Sequence, residues 1–198
     1  MTTNFLGNYY AGKDEPITHT RIGNKNLKIH GGTYSIPTDQ YDTFLQLYFY
    51  DVFKNNNLEY LVERQIDQNG PLIMDIDFHF AAGTTERFVT KKHIDELVKT
   101  IVSVLDSMYE FYKPEKTFQI FIFQKPHVNM EEHRTKDGIY VLIGIQRGGF
   151  IDQIYLRDEM VKKADEKKLF MDLPIIDDWN ETFDFKVSSG SCCLQLIG

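Results

Sequence analysis

Cysteine is nearly missing from this chain. The two that occur among 198 residues are adjacent, Cys192 and Cys193. An adjacent pair supplies neither a disulfide framework nor the spaced ligands of a structural zinc site. Long apolar runs are missing too. No stretch approaches the roughly 18 apolar residues of a transmembrane helix, so no membrane partner is expected. The opening, Met1 to Pro16, lacks a basic segment followed by an apolar one, which argues against a secretory leader and for an intracellular protein. Positive charge is also short: 22 basic against 29 acidic residues leave a net charge of −7. Proteins that coat nucleic acid without specificity present a strongly basic face, so this balance argues against simple coating. An enzyme whose carboxylates surround bound metal fits this balance. So does an ordinary enzyme or a protein-binding module.

What is present supports a folded α+β protein. Hydrophobic residues make up 42% of the chain, with 15 Phe and 11 Tyr, enough for a real core. There is no internal repeat and no low-complexity segment. Residues 1–16 are polar and turn-rich and read as a flexible N-terminal arm. From Ile17 to Pro37, short apolar runs broken by Gly23, Gly31 and Gly32 predict strands and turns. Thr38 reads as the cap of a helix carrying Tyr41, Phe44, Leu45, Tyr48 and Val52, which Asn55 to Asn57 stop. A short strand is expected at Tyr60 to Glu63. Thr90 caps the clearest helix, with Ile94, Leu97, Val98, Ile101, Leu105 and Met108 on one stripe. Phe118 to Phe123 predicts a strand, Gln124 to Asp137 a polar loop, and Ile139 to Ile145 a strand covered on both faces. Asp152 reads as the cap of a third helix reaching about Lys168, and short strands and turns follow from residue 170.

Leu72 to Phe80 carries the chemistry. In a strand, alternate residues share a face. Leu72, Met74, Ile76, Phe78 and Phe80 then form an apolar face, and Asp75, Asp77 and His79 the opposite one. The two aspartates have Cα atoms roughly 6.5–7 Å apart. Aspartate is disfavoured in strands and like charges side by side repel, so something must offset their presence. Hard carboxylate oxygens suit Mg²⁺ or Mn²⁺. A solvated sheet face with two tolerated aspartates is the other reading of this spacing. His79 reads as a hydrogen-bonding neighbour rather than a ligand.

The stretch Pro71-Leu72-Ile73-Met74-Asp75-Ile76-Asp77-Phe78 resembles the first motif of archaeo-eukaryotic primases, above all of the primase domains fused to superfamily 3 helicases in large DNA viruses. Other segments are similar to the same family in order and spacing. They are Thr18 to Ile22 with Gly31 to Pro37, Glu59 to Gln65, Lys136 to Ile139, and Phe183 to Gly190 with Leu194 to Gly198. The resemblance implies a mixed β-sheet catalytic module with packed helices over residues 17–198, cut from a longer chain with a C-terminal helicase. It implies a DNA primase-polymerase that adds nucleotides to a DNA template at a viral replication site in the host cytoplasm. Its partners would be nucleoside triphosphates and template DNA. Asp75, Asp77 and Asp184 would be its catalytic, metal-binding triad for Mg²⁺ or Mn²⁺. On the residues alone, Asp184 reads rather as a turn aspartate before a Ser-Ser-Gly loop; Asp177 and Asp178 are rival candidates that match the motif less well.

The sequence departs from the family at one position. Where the second motif carries a histidine that meets the triphosphate, this chain has Tyr140. A phenol donates a hydrogen bond but brings no charge near pH 7, so slowed catalysis is expected. Lys136, Arg134, His133 and Ser188 are the further candidates for nucleotide contacts, and Arg64, Lys125 and Arg147 for DNA. Each is also readable as an ordinary surface or turn residue. Two other functions stay open: a weakened primase-like domain that binds DNA or nucleotide and positions a helicase, and a metal-dependent nuclease.

Overall fold

The structure, a computed structural model, describes residues 1–65, 67, 70–109 and 118–196, with the side chains of 146–148 outside that set. In chain order the elements are α1 (Thr2–Leu6), β1 (His19–Arg21), β2 (Gly32–Tyr34), α2 (Tyr41–Phe49), β3 (Leu61–Arg64), β4 (Gly70–Ala81), α3 (Lys91–Met108), β5 (Ile120–Gln124), β6 (Asn129–Met130), β7 (Arg134–Gly148), α4 (Phe150–Glu166), α5 (Trp179–Thr182), α6 (Phe185–Ser188) and β8 (Cys193–Gln195). This is an α+β fold with antiparallel sheets. The chain forms two compact units. One comprises Met1–Gln65 with Cys192–Gly198, the other Ile66–Ser191.

The first unit is an antiparallel sheet in the order β2-β1-β3-β8. Its core gathers Leu6, Tyr34, Ile36, Phe44, Tyr48, Val52 and Leu61. The polar opening is therefore no free arm over its first turns. Leu6 is fully buried, the amino terminus lies 2.9 Å from Asp51, and Thr3 Oγ1 accepts a 2.8 Å bond from Arg21. A few apolar side chains dock this segment, too few to leave a periodic signal. The predicted first helix is present, but a 3₁₀ turn at Thr38–Gln40 precedes it and a π-helical turn at Tyr50–Lys54 extends it.

The second unit holds the sheet β4-β7-β5, with β6 paired to β7. The apolar face of β4 forms as the alternation predicts. Leu72, Met74, Ile76, Phe78 and Phe80 pack with Leu97, Ile101 and Leu105 of α3 and Leu156, Met160 and Ala164 of α4. Two expectations change here. The polar segment before Ile139 is part of β7, because Arg134 to Gly138 continue the ladder opposite Asp77 to Ala81. Thr135 and Asp137 take the buried positions that apolar residues occupy further along. The third helix starts at Phe150, after Gly149, and Asp152, three residues on from Gly149, accepts a 3.3 Å bond from the Gly149 N–H. Asp152 thus closes the helix start from inside instead of preceding it. Gly190 is required on two counts. Its φ is +67°, and an added Cβ would stand 2.2 Å from the Phe150 ring, so its turn closes only without a side chain.

Candidate active site

Asp75 and Asp77 project from the face of β4 opposite the helices. Their partners across the ladder are Tyr140 and Gly138 of β7, and directly opposed residues share a face. Asp184 arrives from more than a hundred residues away. Phe183 forms a lone antiparallel bridge with Ile76, and the Asp184 N–H donates to the Asp75 carbonyl at 3.0 Å. The Asp184 side chain also accepts from the Lys186 N–H at 2.7 Å, which caps α6. As a result, ligand oxygens of Asp75, Asp77 and Asp184 lie within 4.8 Å of one another, and all three residues are partly buried.

Such a cluster is electrostatically costly without a cation. The Asp75 carboxyl is pushed up to about 6, first by burial and then by the Asp77 charge, with Asp184 adding to it; Lys136 and Lys125 pull the other way. Lys136 already supplies one counter-charge, its Nζ standing 2.6 Å from Asp77 Oδ2. Three hard oxygen donors held this close suit a hard divalent cation.

Gly138 explains how Asp77 fits. A Cβ built there would meet Asp77 Oδ1 at 3.2 Å and the Ile76 carbonyl at 3.3 Å. Any side chain would crowd the carboxylate. In a strand, Gly→Ala is ordinarily stabilising or neutral. Here Gly138→Ala is expected to cost about 1 kcal/mol and to weaken Mn²⁺ binding several-fold. Thermal melts with and without Mn²⁺ check both. The neighbouring Asp137 points into the core, where it accepts two 2.8 Å bonds from Arg87. Arg87 also donates to the Lys125 carbonyl at 2.6 Å and so ties Lys125 to the same hairpin.

Arg157 supports the third aspartate. It is buried in α4 and donates to the carbonyls of Phe183 at 3.0 Å and Asn180 at 2.6 Å. It therefore holds the segment that ends in Asp184. A charged residue within a helix stripe that also buries Gln153, Leu156, Met160 and Ala164 was the available sequence signal. Arg87, Arg157 and the spacing role of Gly138 all escaped the sequence reading.

The other predicted residues divide. Tyr140 lies beside Asp75 in the ladder, and Lys136 is in the cluster. Lys125 is exposed and reaches Asp75 electrostatically. Arg134 is tied to Glu131 at 3.0 Å, and the His133 side chain is 87% exposed beside Glu132. Ser188 is a correction. It is fully buried and its hydroxyl donates to the Asp184 carbonyl at 3.3 Å, so it cannot meet a nucleotide. Arg64 is exposed on β3 of the first unit. Arg147 has its backbone in β7, but its side chain lies outside the described residues. Of the rival acids, Asp177 pairs with His79, and Asp178 caps α5 by accepting from the Asn180 and Glu181 N–H groups.

The family model of the C962R protein N-terminal AEP domain matches residues 23–198. The chain belongs to this family. This AEP domain is of archaeo-eukaryotic primase type, in line with the motif order and the α+β fold. It is also similar to a protein of Acanthamoeba polyphaga mimivirus named as a helicase (L207/L206), with 25% identity over 176 residues. That match covers 87% of this chain and 17% of the mimivirus protein, so the chain spans about a sixth of that relative.

Proposed function

We propose that this domain is a DNA primase-polymerase that joins nucleotides on a DNA template within a viral replication protein, alongside a helicase. The observation that carries the reading is the meeting of Asp75, Asp77 and Asp184 in one partly buried cluster. Divalent cations held by these three carboxylates would neutralise the triphosphate and activate the attacking 3′-hydroxyl. The chain's own groups do the rest. Asp77 and Gly138 shape one wall of the site. Asp184 is fixed by its backbone bond to Asp75 and by Arg157 behind it. Lys136 releases Asp77 when a cation arrives and offers its ammonium to a phosphate as a point charge. Tyr140, one strand over from Asp75, offers a neutral hydroxyl where the family has an imidazole. The mimivirus relative's name supports a helicase as the working partner.

Template-dependent incorporation of labelled nucleotide with Mn²⁺ or Mg²⁺ tests the proposal. Wild type is expected to incorporate, and Asp75→Ala/Asp77→Ala to fall to background. Equal incorporation by both proteins would remove the acid cluster from the chemistry.

A second reading rests on Tyr140. With no cationic side chain at that position, the domain could bind DNA or nucleotide and position a helicase with little transfer of its own. Wild-type nucleotide and DNA binding without incorporation would favour it.

A further inference from the structure

The ladder that sets Tyr140 beside Asp75 continues one strand further, where Tyr140 faces Phe123 of β5. Asp75, Tyr140 and Phe123 thus form a row across one sheet face. With neighbouring strands roughly 5 Å apart, Phe123 stands about 10 Å from Asp75. Two residues earlier on the same face, Phe121 is 44% exposed. The Phe121 and Phe123 rings are nearly parallel, 19° between planes and 6.5 Å between centroids, and Phe123 lies 6.1 Å from Tyr140. Lys125 continues the alternation just past the strand. It is exposed, and its ammonium has no ion-pair partner among the described residues. Among the described residues, the hydrophobic core cluster includes neither the Phe121 nor the Phe123 ring.

We propose that Phe121, Phe123 and Lys125 form a platform for the bases and backbone of single-stranded nucleic acid running past the acid cluster. This rests on the nucleotidyl-transfer reading and deepens it by naming where the template lies. The chemistry is complementary on both counts. Rings open to solvent, as Phe121 is and half-buried Phe123 is in part, stack on the faces of unpaired bases whatever their sequence, and an adjacent ammonium meets the phosphate between them. A duplex hides its base faces and would not gain from the rings. The platform also stands at the right remove. A base stacked on Phe123 keeps its strand within a few ångströms of a nucleotide whose phosphates sit at Asp75 and Asp77. Lys125 is held in place for this by the Arg87 bond to its carbonyl.

The test uses the whole chain and three proteins: wild type, Phe121→Leu/Phe123→Leu, and Phe121→Tyr/Phe123→Trp. Leucine keeps apolar volume and removes the π-face; the aromatic pair keeps it. Fluorescence anisotropy with an oligothymidylate of about twelve nucleotides, and with an abasic strand of the same length, reads affinity at low salt. The leucine variant is expected to bind oligothymidylate roughly tenfold more weakly or worse, the aromatic variant within about twofold of wild type. The abasic strand should bind wild type and the leucine variant alike. Equal oligothymidylate affinity for wild type and the leucine variant overturns the platform, as does wild-type binding of the abasic strand as tight as of oligothymidylate. Mn²⁺-dependent incorporation by wild type, lost in Asp75→Ala/Asp77→Ala, is read alongside. If it persists while the platform fails, only the platform is wrong; if it is missing, the reading of the acid cluster falls instead.

Discussion

Asp75→Asn is expected to stabilise the metal-free protein by about 2 kcal/mol at pH 8 and to abolish its response to Mn²⁺. The gain follows from the crowding of carboxylates. Asp75 is raised from an ordinary 3.8 to about 6 by burial and by Asp77. A rise of that size is worth up to ~3 kcal/mol, and partial exposure reduces it to about 2. The direction is set by linkage. A carboxyl raised on folding favours the folded state below its unfolded value, and that advantage disappears as pH rises through about 6. At pH 8 wild type carries the full burden of the charge, and asparagine relieves it while keeping shape and hydrogen-bonding atoms. Near pH 4 and below, the two proteins should converge. For a chain of this length the difference is roughly 4–8 °C in melting temperature. Mn²⁺ at a hundred times its Kd should stabilise wild type by about 2.7 kcal/mol and leave the asparagine variant unshifted. Melts in EDTA and in Mn²⁺, at pH 8 and pH 4, give all four comparisons. An asparagine variant no more stable at pH 8, or still shifted by Mn²⁺, would show that these carboxylates do not share a cation.

Tyr140→His should raise nucleotide incorporation on the order of 10²-fold, with Tyr140→Phe slightly below wild type. Tyr140 is directly opposite Asp75 in the ladder, so a side chain there faces the space a triphosphate would occupy. An imidazole in that field gains a proton readily. A preorganised charged donor at a phosphate is worth a few kcal/mol in the transition state, far more than a phenol. Steady-state incorporation by the three proteins at matched stability is the measurement. No gain from histidine, with wild type already at ordinary polymerase rates, would mean that another cation does this work. Lys136, 2.6 Å from Asp77, is then the group to remove, by Lys136→Met. His133, in solvent beside Glu132, is poorly placed for it.

The alternation of β4 was legible because a strand imposes its period on its own residues. Leu72 to Phe80 could be sorted into a buried and a polar face without knowing their neighbours, and α3 declared itself by its stripe and by Thr90. The early start of β7 was hidden. Thr135, Lys136 and Asp137 look like loop residues, and only the long ladder with β4 and the Arg87 fork on Asp137 make them a strand. Ser188 misled for the converse reason: a Ser-Ser-Gly turn offers donors in sequence, but this hydroxyl folds back on the Asp184 carbonyl.

The sequence by itself determined the chemistry on offer: two aspartates on one strand face, an apolar face behind them, a motif order shared with archaeo-eukaryotic primases, and a tyrosine in the histidine's place. These depend on residues close along the chain or on their order, and local backbone geometry suffices to interpret them. The resemblance pointed to Asp184 ahead of Asp177 and Asp178, but only the tertiary structure brings its carboxylate to the pair. That placement is made by one bridge from Phe183 to Ile76 and by Arg157 reaching from α4, contacts between segments far apart in sequence. Likewise, only the packed ladder shows that Gly138 is the space Asp77 occupies and that Phe123 stands in the row of Asp75, because register across strands is set by the fold of the whole sheet and leaves no mark on any one strand.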